Sequence, residues 1–250
     1  MTPLRALLAG LALAFCTAAP AAAVDCAREA YKGNRYTVCT VSPKIEDLRL
    51  FLNGRDGTPL GSFENVQLQL RGLGRTLIFA MNAGMYHEDR SPVGHYLENQ
   101  TEEMRVLSGA SPGNFGLLPN GIFCIRRNRA DVIETRAYLA TKPNCQHATQ
   151  SGPMLVIDGV MHPRFLENST SRYIRNGVGS ADSGARTVFV ISDNAVTFYE
   201  FAEFFRDKLN TPNALFLDGN VSRLYAPQLG RSDTGRRMGP IVGVSVPATQ

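Results

Sequence analysis

Metal-site spacing is the first thing this sequence lacks. Its 250 residues hold four histidines, and none stands in an H-x-x-x-H or H-E-x-x-H arrangement. No C-x-x-C pair occurs either, which excludes the common zinc frameworks. Charge of one sign is missing too: 26 basic side chains face 22 acidic ones, a formal net charge of +4. That excess is too small and too scattered for a nucleic-acid surface, though it mildly favours anionic ligands. Beyond residue 23 no apolar run is long enough to cross a bilayer as a helix. No repeat, low-complexity tract or long linker divides the chain. Residues 24–250 therefore read as one domain, large enough for a substantial core.

What is present begins with an export signal. Arg5 supplies a positive start, L-L-A-G-L-A-L-A-F an apolar stretch, and A-P-A-A-A small residues for cleavage near Ala23. Residues 1–23 are expected to be a signal peptide, and the mature protein to be secreted or periplasmic. Bulky Phe15 before Cys16 argues against a lipid anchor there. Four cysteines then remain: Cys26, Cys39, Cys124 and Cys145. In an oxidising compartment an even count implies two disulfides with three possible connectivities, of which the local pairing Cys26–Cys39 and Cys124–Cys145 is expected.

Short apolar segments fill the chain between Gly, Asn, Asp and Pro turns: 35–41, 48–52, 76–81, 121–125, 154–157, 186–191, 214–217 and 239–246. Several are continuously apolar, as strands covered on both faces are. Thr197 and Glu200 form a T-x-x-E capping box, after which Phe198, Phe201, Ala202, Phe205 and Leu209 recur at helical spacing. A second helix is expected around Phe63–Arg71. The fold class predicted is α+β, loosely α/β: a mixed, largely buried sheet flanked by helices.

Chemistry is sought where polar residues interrupt these strands. G-A-S-P-G (109–113) imitates a hydrolase nucleophile elbow, but Pro112 has no N–H to act as the oxyanion donor. The histidines His87, His95, His147 and His162 read as structural or solvated. Asp89, Asp158 and Asp182 have ordinary turn or surface readings, so no metal and no cofactor is expected. Five polar points recur at strand ends: Asn82, Asn120, Ser151, Arg186 and Asp218. Function gathers at such ends on a rigid scaffold. Arg186 opens an apolar strand, where an unpaired guanidinium would be costly. Taken alone, Asp218-Gly219 reads as a turn.

The motifs also occur in a recognisable order: N-A-G-M-Y, N-F-G-L-L-P-N-G-I-F, Q-S-G-P-M-L-V-I-D-G, G-A-R-T-V-F-V, and A-L-F-L-D-G after the capped helix. From about residue 76 to 246 this order resembles the phosphodiester glycosidase domain, the catalytic domain of the mannose-6-phosphate uncovering enzyme and its bacterial exported relatives. The resemblance implies hydrolysis of a carbohydrate sugar-1-phosphodiester. It implies a catalytic carboxylate at Asp218, with Arg186 and Arg175 on phosphate and Asn82 hydrogen-bonding the substrate. Gly84, Asn120, Ser151, Gly152, Thr187, Gly219 and Ser222 are implied as further substrate contacts. Asn220-Val221 stand where the family pattern runs on in glycine. That departure favours the alternative of a catalytically weak or inactive glycan- or polyanion-binding protein of the cell envelope.

Overall fold

Short strands punctuated by tight turns can close a core either under helices or under other strands, and this chain does both. The computed structural model describes residues 24–219 and 221–248; the expected signal peptide and Asn220 lie outside them. Every strand pairing among these residues is antiparallel, in sheets of seven, five and five strands. With 42% of the chain in strand and 15% helical, this corrects the expected α+β class with a mixed sheet. The reason lies in the covers. Continuous apolarity does not distinguish cover by helices from cover by other strands, and here one face of each sheet packs against the other two sheets.

The first sheet runs, in spatial order, Asp25–Tyr31, Asn34–Val41, Arg186–Ser192, Asn176–Ala181, Asn213–Phe216, Met154–Ile157 and Val160–Met161. The second runs Arg231–Ser232, Leu224–Ala226, Arg75–Asn82, Ile241–Pro247 and Asp47–Phe51. The third runs Thr101–Met104, Tyr96–Glu98, His147–Ser151, Gly121–Arg126 and Arg129–Glu134. Their inward faces share one core, with Phe189 from the first sheet, Phe79 from the second and Phe123 from the third. Phe189 has its ring centroid 4.9 Å from that of Phe79 and 5.7 Å from that of Phe123. Three fully buried rings therefore pin three sheets at one point, each worth roughly 1.5–3 kcal/mol of burial.

Each outer face carries one short helix. Phe63–Arg71 buries Phe63, Val66 and Leu70 against the second sheet. Thr135–Thr141 covers the third through Tyr138, beside Cys124 and Cys145. Phe198–Glu203 covers the first and runs into a π-helical turn, Phe204–Lys208, which places Phe201, Phe204 and Phe205 together on the sheet. The capping box at Thr197 and Glu200 forms with both reciprocal bonds. The disulfides are Cys26–Cys39 and Cys124–Cys145, the local pairing expected. Among the described residues no helix is long and apolar enough to span a membrane.

Candidate active site

At one end of the molecule the three sheets run out together. Arg75–Asn82 ends there at Asn82, Asn176–Ala181 starts there at Asn176, and His147–Ser151 ends there at Ser151. The second and first sheets are joined by a pair of side-chain amides. Asn176 Nδ2 donates to Asn82 Oδ1 at 3.1 Å and to the Asn82 carbonyl at 3.1 Å. Asn82 is fully buried; its Nδ2 donates to the Asp218 carbonyl at 2.9 Å, and its Oδ1 accepts the Arg223 N–H at 2.8 Å. Ser222 Oγ lies 3.1 Å from Asn176 Oδ1 and 3.2 Å from the Ile174 carbonyl. Buried polar groups that satisfy each other in this way fix one geometry.

That network holds Asp218. Its N–H donates to the Ala83 carbonyl at 3.2 Å, and its own carbonyl receives Asn82. The residue is 8% exposed and lines a cleft of about 570 Å³. The carboxylate also helps push the neighbouring Tyr86 hydroxyl upward, after burial, the larger cause. Gly219 follows with no left-handed backbone. A Cβ there would stand 2.4 Å from the tip of the Phe216 ring, so this glycine serves close packing rather than the φ freedom of a turn.

Arg175 lines the same cleft and is only 2% exposed. Its Nε donates to the Val196 carbonyl at 2.9 Å and its Nη2 to the Ser171 carbonyl at 3.1 Å. The guanidinium carbon sits 3.6 Å from the Phe198 ring centroid, with Tyr173 and Phe216 at 5.5 and 5.6 Å. Carbonyl oxygens and aromatic faces surround this cation, and burial pushes its pKa down to about 10. A buried guanidinium held by carbonyl oxygens and aromatic faces is poised for an anion.

The other expected residues fall into two places. Asn120, Gly84, Ser151 and Gly152 stand behind the cleft. Asn120 Nδ2 holds the Phe115 carbonyl at 3.0 Å and its Oδ1 accepts Thr135 at 2.7 Å, so it supports the loop 111–115 that lines the cleft. A Cβ on Gly84 would meet the Gln150 carbonyl at 2.4 Å, and one on Gly152 would meet Asn120 at 2.7 Å. Gly84 lets the second and third sheets approach, and Gly152 lets the loop 114–115 close on the end of the third. Ser151 Oγ is buried with no hydrogen-bond partner among the described residues.

Arg186 and Thr187 are elsewhere. Ala181 pairs with Arg186 and Asn176 with Ile191, so Arg186 lies at the opposite end of its strand, roughly 17 Å from the cleft end at 3.3 Å per residue. There it pairs with Asp182 at 3.1 Å and caps the carbonyls of Leu209 and Asn210. The guanidinium that opens an apolar strand is satisfied by Asp182 of the preceding turn and by the carbonyls that follow the π-helical turn. The structure does not bring it to Asp218, and Arg175 is the arginine that is there.

Sequence reasoning passed over Asn176, Tyr173, Phe198 and Phe216. Phe198 read as one more apolar residue of the capped helix. Its signal was position: the first residue after the cap Thr197, where a side chain reaches past the helix end. The loop G-A-S-P-G, dismissed as an elbow, contributes Ser111, Pro112 and Gly113 to the cleft wall. Among the described residues no cluster of metal-ligating side chains exists.

The sequence pattern of the phosphodiester glycosidase family matches residues 75–244, which spans the network, Arg175 and Asp218. The chain belongs to the phosphodiester glycosidase family. It is 34% identical over 186 residues to the uncharacterised protein YigE of Escherichia coli K12, covering 74% of this chain and 72% of that protein. The fold is similar to the zebrafish N-acetylglucosamine-1-phosphodiester alpha-N-acetylglucosaminidase catalytic domain, solved auto-inhibited by its pro-peptide. There the TM-score is 0.60 at 14% identity, over 88% of this chain and 81% of that one. It is also similar to a protein of Burkholderia pseudomallei K96243 named as exported, with TM-score 0.56, 12% identity, and 84% and 74% covered.

Proposed function

We propose that the protein hydrolyses a sugar-1-phosphodiester in this cleft, with Arg175 binding the phosphate and Asp218 acting at the anomeric carbon. The observation that carries the reading is the buried, carbonyl- and ring-held guanidinium of Arg175 in the same cleft as Asp218. In the reaction the bond between C1 and the phosphate oxygen breaks, and the electron pair leaves with the phosphate. A phosphate monoester, with its second pKa of about 6, departs without a strong general acid. Arg175 neutralises the charge it gathers. Asp218 meets the positive charge that develops on the sugar, and water supplies the new C1–O bond, its displaced proton passing to solvent.

Asn82 has a supporting role in this scheme. Its amide is consumed by Asp218, Asn176 and Arg223, so it orients the carboxylate's backbone rather than touching substrate. Two disulfides, and the exported description of the Burkholderia protein, support a location in an oxidising, extracytoplasmic compartment. The test is incubation with N-acetylglucosamine-1-phosphodiesters, the class named for the zebrafish enzyme, and with other glycosyl phosphodiesters. Free reducing sugar released by the native chain and lost in Arg175→Ala supports the reading. Binding without release would instead make the cleft a glycan-phosphate receptor.

A further inference from the structure

Arg175 and Asp218 come from different segments, and something must set the distance between them. Two rings bridge the gap. Phe198 faces the guanidinium at 3.6 Å, and its edge meets Phe216 at a centroid distance of 4.8 Å and an angle of 85°. Phe216 in turn lies against Gly219, where a Cβ would come within 2.4 Å of it. Phe165 stacks parallel to Phe198, with centroids 5.0 Å apart at 5°, and His162 stacks on Phe165 at 4.7 Å. The segment bearing Arg175 is tied to the same helix start. Tyr173 pairs with Val196 through two backbone bonds, and Arg172 forks onto Glu200 at 2.7 and 2.9 Å.

We infer that Phe198 is the positioning residue that sets the phosphate-binding guanidinium against the Asp218 carboxylate. It serves as the platform on which Arg175 lies and the strut that reaches Gly219 through Phe216. This rests on the reading of Arg175 as the phosphate ligand. A flat aromatic face holds a planar cation in one plane without neutralising it, which a carboxylate would do. The cation thus keeps its charge for the substrate. An aliphatic residue of similar volume fills the space but offers no such face.

Calorimetric titration with inorganic phosphate tests this in the native chain and in Arg175→Ala, Phe198→Leu and Phe198→Tyr. The expected result is loss of measurable binding in Arg175→Ala, about tenfold weaker binding in Phe198→Leu, and near-native binding in Phe198→Tyr. The loss in leucine, which keeps most of the volume without the aromatic face, set against retention in tyrosine is the readout that a space-filling role would not produce. Phe165→Leu, which removes the backing ring without touching Arg175, is expected to weaken binding about threefold and keeps the test open should Phe198→Leu misfold. Native affinity in both leucine variants, with Arg175→Ala defective, overturns the inference and leaves the site reading standing. An unchanged Arg175→Ala, or no binding by the native chain, overturns both.

Discussion

Replacing Asn82 by alanine removes the donor to the Asp218 carbonyl, the acceptor of the Arg223 N–H, and one partner of the Asn176 amide. All three bonds lie where the second sheet meets the first, and Asn82 itself is fully buried. Leaving a buried polar group without its partner costs about 1–3 kcal/mol. Asn176 keeps its bond to the residue 82 carbonyl, so its share is small. Two backbone groups at the low to middle of that range give a loss of about 3 kcal/mol. Asn82→Asp is expected to be worse. It keeps an acceptor for Arg223, but it places a buried carboxylate against the Asp218 carbonyl, acceptor facing acceptor. Urea unfolding followed by circular dichroism measures both. The expected order of stability is native, then alanine, then aspartate, with turnover falling in the same order because Asp218 loses its anchor. A loss below 1 kcal/mol in Asn82→Ala, or an aspartate variant more stable than the alanine one, would refute the reasoning.

Two further outcomes follow from the geometry. His147 is 5% exposed, and burial, followed by the Arg49 charge, pushes its pKa from 6.5 down to about 4. The unfolded chain then binds the extra proton first, so stability is full above pH 6.5 and falls as pH drops toward 4, by about 3 kcal/mol in all. His147→Gln should flatten the pH dependence of urea unfolding in that window, and an unchanged slope would contradict the assignment. Gly219→Ala drives a methyl into the fully buried Phe216 ring. It should cost about 1–3 kcal/mol and depress turnover more than the same change at exposed Gly109, where a Cβ has open space. Equal activity of the two variants would show that the ring contact is unimportant.

The apolar strands were readable because their composition matches their environment. Segments such as 76–81, 154–157 and 186–191 coincide closely with Arg75–Asn82, Met154–Ile157 and Arg186–Ser192. The capped helix was readable from two residues, since Thr197 and Glu200 need only local geometry to bond reciprocally. The hidden strands are those whose side chains look like loop. N-G-V-G-S-A is a fully buried central strand, Asn176–Ala181. Its glycines are present because a Cβ on Gly177 would meet the Leu215 carbonyl at 2.8 Å, and one on Gly179 would meet Thr211 and Phe205. H-A-T-Q-S is likewise buried throughout. With these two central strands unread, along with others such as Asp25–Tyr31 and Arg129–Glu134, the expected fold has too few sheets and leaves too much of the cover to helices.

The site was legible to the extent that it depends on strand ends. Asn82 and Asp218 were visible because each closes an apolar run. The choice between Arg175 and Arg186 was not, since it turns on which end of an antiparallel pair each occupies. Arg186 stands at the start of its strand and Arg175 just ahead of the neighbouring one, and in an antiparallel pair two starts lie at opposite ends. Register decides it, and register is set by partners distant in sequence.

The central claim is that Asp218 and Arg175 act on one glycosyl phosphodiester. The most direct measurement is release of free reducing sugar by the native chain, Asp218→Asn and Arg175→Ala, with each variant's fold checked by circular dichroism. The account predicts release by the native chain and a loss of at least about a hundredfold in each folded variant. Native-level release from either folded variant, or none from the native chain across the panel, would contradict it.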